Sequence, residues 1–393
     1  MIKKYFFLLL FPFFFNTINA QVQLSVYSEV SIVTAGPGTV LYEAFGHSAI
    51  RIKDPVLKLD LIYNYGVFDF NQPNFYTNFA KGNMVYSLER YDFKYFSASY
   101  KSDKRWLKQQ VLNITQQQKQ AFFLYLENNA KPENSKYNYD PYFNNCATIL
   151  RDITKTILGN KVDFKSDDFL EKNITFRQLT NKEIPWNSWG TFGLNIIAGT
   201  KLDQNANFEE AMFLPDYVFS GFKNANLFVR NEPQKLVKRE DILLNFEEKT
   251  QKNELISPFL VFVGLLFFVL LITYKNAKNN KTSKWLDFSL LFTTGIIGVI
   301  LLFLWFFSTH STAPNNFNIL WAFAPNLVIS FLILIKNQPK WIHYYFKFLV
   351  ILLICIPILW LAKIQTYPIV IIPLLILLSI RYLFLSKNTS YLE

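Results

Sequence analysis

Two residues in this sequence could form a nucleophile and base pair: Cys146, in "YFNNCATILRD", and His47, in "EAFGHSAIRI". Asn144 or Asn145 is a good N-cap, so Cys146 should lie in the first turn of a helix. The backbone N–H groups and the dipole at that helix end lower the pKa of a thiol and favour the nucleophilic thiolate. His47 is the single histidine before the long apolar segments and would act as the base.

Each residue also has an ordinary explanation. A lone cysteine in a core is usually a small hydrophobe, and a lone histidine is usually a surface or structural residue. Their combination favours catalysis, because a stray thiol is a liability in an exported domain. The second cysteine, Cys355, lies in an apolar run, so the sequence predicts neither a disulfide framework nor a zinc cluster. We predict no metal, and without a P-loop or a GxGxxG motif we also predict no cofactor.

A third group should orient the His47 ring. Asn64 and Asp60 lie on the strand that we expect beside His47, and Asn64 is the preferred choice. Tyr63 should face the opposite side from Asn64, and Glu43 is close to His47 in sequence. Glu43 stays open as the third group, and both Tyr63 and Glu43 are also candidate substrate-binding residues.

The N-terminus is typical of a secretory signal peptide over residues 1–20, with "MIKK", an apolar run and a small residue at Ala20. Ile18 fits a cleavage site poorly, so an uncleaved anchor is the alternative. Residues 21–255 form the exported domain in either case. Residues 256–393 form a membrane domain with five predicted spans. These spans cover about 257–274, 286–307, 317–335, 346–362 and 367–385.

The formal charge of +11 is unevenly distributed along the chain. Residues 21–255 hold 28 Lys/Arg and 27 Asp/Glu, while residues 256–393 hold 10 and 2. The excess lies at the ends of the spans, where it sets topology, so we predict no nucleic-acid partner. Lysines in the loops 275–285 and 336–347 predict a cytoplasmic location. The 308–316 loop has none, so it should lie outside, with His310 on the same side as Cys146. The sequence does not specify an oligomeric state.

The predicted fold of the exported domain is α+β. The segments "SEVSIVTA", "HSAIRI", "LDLIYNYGVFDF" and "MVYSLERY" are predicted strands. Residues 103–128 and "CATILRDITKTIL" are predicted helices, the latter with Ile149, Leu150, Ile153, Ile157 and Leu158 on one side. Residues 160–255 are expected to be irregular with short helices.

The motifs "FGHSAIRI", "YNYGVFDF" and "YFNNCATILRD" resemble those of the Lnb N-terminal periplasmic domain family, over roughly residues 25–220. The order of a histidine strand before a cysteine helix is similar to circularly permuted papain-like folds of the NlpC/P60 and lecithin:retinol acyltransferase type. The spans and the "THSTAPNNFNIL" loop also resemble the C-terminal region of that family.

This resemblance implies a lipoprotein N-acyltransferase in the bacterial inner membrane, with a periplasmic catalytic domain. The donor would be a phospholipid and the acceptor the α-amine of a diacylglyceryl-cysteine. Arg151 could then meet a lipid phosphate, although an ion pair with Asp152 is preferred, and His310 could reach the site from the membrane side. Trp186, Trp189 and Phe192 would dip into the interface or pack in the core.

Two other functions stay open at this point. One is a membrane-anchored NlpC/P60-like cysteine peptidase or amidase, although a wall hydrolase needs no polytopic anchor. The other is a non-catalytic membrane scaffold.

Overall fold

A computed structural model describes residues 21–164, 171–249, 254–336 and 338–387 of the chain. The predicted signal peptide lies outside these residues. The described chain consists of an N-terminal domain (residues 21–249) and a helical domain (residues 254–387).

The N-terminal domain is built on an antiparallel sheet of seven strands in the order β10-β5-β1-β2-β3-β4-β6, with β7-β8-β9 in a second, small sheet. The strands are β1 (Glu29–Ala35), β2 (His47–Asp54), β3 (Leu59–Val67), β4 (Val85–Asp92), β5 (Leu107–Leu112), β6 (Lys136–Asn138), β7 (Val162–Asp163), β8 (Asn226–Val229), β9 (Glu232–Lys235) and β10 (Val237–Leu244).

Eight α-helices of this domain lie within the described residues. They are α1 (Phe75–Lys81), α2 (Phe93–Ser102), α3 (Gln116–Asn129), α4 (Cys146–Leu158), α5 (Phe176–Lys182), α6 (Trp189–Ile197), α7 (Phe208–Ala211) and α8 (Pro215–Asn224). Helix α4 packs on β2 and β3 and also contacts α3 and α8. Its buried face holds Leu150, Ile153 and Leu158, with Ile149 and Ile157 packed beside them. The predicted apolar face of α4 and the predicted mix of helices and strands are thus confirmed.

The prediction of a helix over residues 103–128 is wrong for the first half of that range. Residues 103–128 contain the strand β5 before helix α3 begins at Gln116. Strand β5 pairs with β1 on one side and with β10 on the other. Neither partner is close in sequence, and β10 falls in a region that was expected to be irregular. Backbone pairing across the sheet therefore decides the conformation of "LKQQVL".

The helical domain contains α9 (Pro258–Asn279), α10 (Lys284–Phe306), α11 (Asn326–Leu332), α12 (Ile342–Leu361) and α13 (Ile372–Lys387). Four described helices are long and apolar enough to cross a membrane: α9, α10, α12 and the helix Ile369–Lys387 that includes α13. Five spans are not confirmed.

The third predicted span, residues 317–335, is broken into the 3-10 turn Phe317–Leu320 and the seven-residue helix α11. Pro325 precedes α11 and has no N–H with which to continue a helix. Two glycines of α10 allow the broken segment to approach closely. A Cβ at Gly295 would lie 2.2 Å from Leu327 N, and one at Gly298 would lie 2.1 Å from Ala322 O.

The 308–316 loop, which follows α10, is seated against the N-terminal domain. Thr309 N donates to Lys81 O at 2.8 Å, and Gly199 N donates to Thr312 O at 2.8 Å. A Cβ at Gly82 would lie 2.6 Å from His310 N, and one at Gly199 would lie 1.9 Å from Pro314 O. Only glycine leaves room for the loop at these two positions, so the loop joins the two domains by direct backbone contact.

Helix α6 forms a second junction with α9. Trp189 and Phe192 place their rings 5.8 and 5.1 Å from that of Phe262, and Trp186 lies 6.0 Å from Phe259. These aromatics therefore pack between the two domains at the start of α9, while Trp186 and Trp189 remain partly exposed.

Candidate active site formed by a cysteine, a histidine and an asparagine

The start of helix α4 is fixed by Asn145, which is its N-cap. The Oδ1 atom of Asn145 accepts the backbone N–H groups of Ala147 and Thr148, both at 2.9 Å. The Thr148 hydroxyl accepts the Asn145 N–H in return, which completes a capping box. The Asn145 amide also donates to Phe213 O at 2.8 Å, so the cap is anchored to the core. Cys146 is consequently the first helical residue, with its thiol at the positive end of the helix dipole.

His47 is the first residue of β2 and follows a tight backbone contact. Gly46 has a φ of +74°, and a Cβ there would lie 2.8 Å from Ala35 O. A glycine at the start of a strand is typical of such a close backbone approach. The packing of α4 on β2 brings Cys146 close to His47, so that each group shifts the pKa of the other.

Asn64 occupies the other side of the His47 ring. Its Oδ1 lies 2.6 Å from His47 Nε2, and its Nδ2 donates to the Tyr91 hydroxyl at 3.2 Å. Ile50 pairs with Tyr63 across β2 and β3, so strand alternation puts Asn64 on the same face as His47. Because the amide oxygen can only accept, it favours a proton on Nε2 and leaves Nδ1 free for the thiol.

The two reactive groups shift each other's pKa. Burial favours neutral His47, but the charge of Cys146 and the hydrogen bonds that His47 donates to Cys146 and Asn64 outweigh it and raise the pKa of His47. Burial likewise favours the neutral thiol, but the charge of His47 and hydrogen bonds from His47 and the Ser48 backbone lower the pKa of Cys146. Both shifts favour a thiolate–imidazolium pair, the reactive form of such a site.

Gly66 and Tyr139 complete the surroundings of the sulfur. Gly66 has a φ of +91°, and a Cβ there would lie 3.4 Å from Cys146 Cβ and 3.9 Å from Tyr139 Cε2. Burial, and then the charge of Cys146, raise the pKa of Tyr139 well above its usual range, so its phenol stays protonated. Sequence reasoning missed both residues, although a glycine inside the predicted strand "YNYG" signals a close approach.

The turn before Cys146 is tied to the helical domain. Asp140 Oδ1 accepts the N–H groups of Tyr142 at 2.9 Å and Phe143 at 3.0 Å. Asp140 Oδ2 accepts the hydroxyl of Ser311, which belongs to the 308–316 loop. The loop between two apolar segments thus contacts the turn that leads directly into the nucleophile.

A cavity of about 170 Å³ lies beside Asn64. It is lined by Glu43, Asn64, Tyr91, Phe96, Ser99, Tyr100, Asp103 and Arg105. Glu43 lies 3.7 Å from Arg105, whose side chain is buried and also donates to Gly36 O. Glu43 therefore lines the same cavity as Asn64 and pairs with the Arg105 guanidinium there.

Asp60, a candidate for the group that orients His47, and Tyr63, a candidate substrate-binding residue, have other partners. The Asp60 carboxylate forms a bidentate pair with Arg51, with both N–O distances 2.7 Å. Tyr63 is buried in the core, and its hydroxyl donates to Glu127 at 2.5 Å. Neighbouring residues of a strand point to opposite faces, so Tyr63 faces away from Asn64, as expected from the sequence.

The remaining predicted residues also have partners away from the sulfur. Arg151 pairs with Asp152 at 2.8 Å and donates to Glu209 O, which is the structural interpretation preferred from the sequence. His310 Nε2 lies 2.9 Å from Phe79 O, so this histidine contacts α1. Among the described residues, no group of three or more His, Cys, Asp or Glu side chains is arranged to hold a metal ion.

Comparisons with known families match both domains. The model described as the Lnb N-terminal periplasmic domain matches residues 14–182, and the model described as the Lnb transmembrane domain matches residues 250–390. Nothing matches among curated proteins or among solved structures. The two family matches indicate a membrane protein with an exported N-terminal domain. With both of its domains matched in this order, the chain belongs to the Lnb family.

Proposed function

We propose that this protein is a cysteine-dependent lipoprotein N-acyltransferase that uses a phospholipid as acyl donor. The main support is the arrangement of Cys146, His47 and Asn64 at the start of α4, next to a loop of the membrane domain. Family membership points to lipoprotein maturation. The helix of Cys146 packed on the strand of His47 is also the arrangement expected of a permuted papain-like fold.

In the first half-reaction, the Cys146 thiolate attacks an ester carbonyl carbon of the phospholipid. A C–S bond forms, the ester C–O bond breaks, and the His47 imidazolium gives its Nδ1 proton to the leaving oxygen. The products are an acyl-thioester on Cys146 and a lysophospholipid. Asn64 keeps Nε2 of His47 protonated, so Nδ1 faces the reacting atoms both when it gives a proton and when it takes one.

In the second half-reaction, the α-amine of a diacylglyceryl-cysteine attacks the thioester carbonyl. His47 takes the amine proton, an amide C–N bond forms, and the C–S bond breaks to restore the thiolate. Both substrates are lipids or lipid-anchored, so a site tied to a membrane loop can meet both at the bilayer surface.

The experiment uses the full-length protein in lipid nanodiscs. With phospholipid alone, Cys146 should gain one acyl mass that hydroxylamine removes, and lysophospholipid should appear in equal amount. Addition of a diacylglyceryl peptide should then yield the N-acyl peptide. Cys355→Ala is the matched control, because it removes the other cysteine, which lies within α12, and should leave transfer unchanged.

Two outcomes would contradict this mechanism. A Cys146→Ala protein that still N-acylates the peptide would show that the amine attacks the lipid ester directly. Cleavage of muropeptides in place of acyl transfer would instead favour the NlpC/P60-like peptidase or amidase.

We also propose an inner-membrane location, with the N-terminal domain and the 308–316 loop in the periplasm and the C-terminus in the cytoplasm. This topology requires the broken segment of residues 317–335 to cross the membrane in addition to the four long helices. The loop lysines and the contact of the 308–316 loop with the N-terminal domain support this orientation. Reporter fusions after Asn280 and after Asn315 should be active on opposite sides of the membrane. Activity of both on the same side would contradict this topology.

A further inference from the structure

A continuous series of aromatic rings runs from the candidate active site to the membrane loop. We call it the aromatic track, and it consists of Tyr139, Tyr86, Phe68, Phe70, Phe75 and Phe79. Successive ring centroids from Tyr139 through Tyr86, Phe68 and Phe75 to Phe79 are 4.2, 5.1, 6.3 and 6.2 Å apart. Phe70 packs on Phe68 at 4.9 Å and on Phe75 at 5.1 Å, so it widens the middle of the track.

The inner end of the track is at the nucleophile. Tyr139 and Cys146 both lie next to Gly66. The charge of Cys146 contributes to the raised pKa of Tyr139, which reflects how close the two side chains are. No side chain projects from Gly66 between the sulfur and the first ring.

The outer end of the track is at the end of a membrane-spanning helix. Phe79 lies on α1, and its ring centroid is 6.2 Å from that of His310. Helix α10 ends at Phe306, and Thr309 already donates to Lys81 O at the end of α1. Three residues reach at most about 10 Å, so α1 lies close to the bilayer surface. The 23 residues of α10 make a helix of about 35 Å, enough to cross a hydrocarbon core of about 30 Å.

The rings near the membrane are open to a ligand. Phe70 and Phe79 are 52% and 49% exposed, and the neighbouring Tyr76 on α1 is 75% exposed. A contiguous exposed apolar surface marks an interaction site. Its direct continuity with the membrane-facing end of α10 indicates that the occupant comes from the bilayer.

We infer that the aromatic track binds the acyl chain of the phospholipid donor and guides it from the bilayer to Cys146. This inference rests on the proposed function. The track's steps follow a contour of about 22 Å. One leaflet's chains fill about half of the ~30 Å hydrocarbon core, so a whole chain fits along the rings. The rings are apolar, so they match the chain and not the headgroup.

The test is the rate at which Cys146 is acylated by donors of different chain length, measured by intact mass. The variant is F70A/F79A, because both rings are exposed and their loss should spare the fold. Loading from a long-chain phospholipid should fall by about tenfold or more, because each methylene that loses its apolar contact weakens binding. Loading from a soluble acetyl ester should remain at the wild-type rate, since that donor does not reach these rings.

Two further variants serve as controls. F70L/F79L should recover most of the long-chain rate, since leucine also packs against methylenes. Tyr27→Ala removes an exposed aromatic outside the track and should change neither rate.

Wild-type rates for F70A/F79A with the long-chain donor would overturn the inference, as would an equal fall with both donors. Loss of a dimer or of a protein partner in F70A/F79A, with chain-length preference intact, would also overturn it. If the wild-type protein loads no donor at all, the proposed function fails, and this result is distinct from a failure of the track alone.

Discussion

Replacing Asn64 by alanine removes the group that orients the His47 ring. The structure shows one strong contact, 2.6 Å between Asn64 Oδ1 and His47 Nε2. His47 is positively charged in the reactive pair with the Cys146 thiolate, and a hydrogen bond to a charged group contributes about 1.5–3 kcal/mol. At about 1.4 kcal/mol per factor of ten, this corresponds to a loss of about 10- to 150-fold in the rate of acyl loading. The Phe96 ring, 6.3 Å from the imidazole, still restrains the ring on another side and argues for the lower part of that range.

The assay is single-turnover acylation of Cys146, followed by intact mass over a range of pH. The Asn64 hydrogen bond helps to raise the pKa of His47, so its loss should move the alkaline limb of the pH profile to lower pH. Asn64→Asp keeps the acceptor and adds negative charge, so it should retain the rate and move that limb to higher pH. A purely structural role for Asn64 would slow the reaction without moving the limb.

Tyr91→Phe is the graded control. It removes the 3.2 Å bond that fixes the Asn64 amide but leaves the contact between Asn64 and His47 in place. A neutral hydrogen bond contributes about 0.5–1.5 kcal/mol, so its effect should stay within roughly tenfold. A wild-type rate and an unshifted pH profile for Asn64→Ala would refute the assignment of Asn64 as the positioning residue.

Three further predictions concern the pH dependence, the site backbone and the helical domain. For the wild type, the rate of acyl loading should have a bell-shaped pH profile, because the reactive ion pair exists between the lowered pKa of Cys146 and the raised pKa of His47. A rate that does not change with pH would contradict the ion pair. Gly66→Ala should destabilise the protein by about 1 kcal/mol or more, because its φ of +91° strains any side chain, and it should also slow loading by crowding Cys146; an unchanged melting curve and rate would contradict this. Asp287→Ala should destabilise the protein by about 3–5 kcal/mol in detergent unfolding, because it leaves the fully buried Arg381 without its carboxylate. The double replacement Asp287→Leu with Arg381→Met should recover much of that loss, and an equal loss in both variants would contradict the pairing argument.

Several features of the site follow from short stretches of sequence. The capping box at the start of α4 is formed by Asn145 and Thr148 alone, so the pattern around "NNCAT" predicts from local sequence that the helix begins at Cys146. The face of β3 that carries Asn64 follows from strand alternation, as does the burial of Tyr63 on the other face. Composition alone also separates the apolar C-terminal part of the chain from the mixed N-terminal part, because a bilayer-crossing helix needs a long apolar run.

Other features depend on contacts between distant parts of the chain. The strand β5 exists because β1 and β10 supply its backbone partners, and no local pattern in "LKQQVL" encodes them. The third apolar segment breaks before α11, where Pro325 cannot donate a backbone hydrogen bond and where Gly295 and Gly298 of α10 admit its backbone.

The partners of the charged and polar side chains were likewise decided by the tertiary structure. From the sequence by itself come the helix that begins at Cys146, the strand that carries His47 and the preference for Asn64 over Asp60. Only the folded chain fixes the register in which Asp60 lies opposite Lys53, far along β2 from His47, and pairs with Arg51, while the Asn64 amide accepts beside His47. Only the fold seats the 308–316 loop on Gly82 and Gly199 and brings Ser311 to the turn before the nucleophile. The physical reason is that capping and alternation act within a few residues, whereas these contacts join segments that are far apart along the chain.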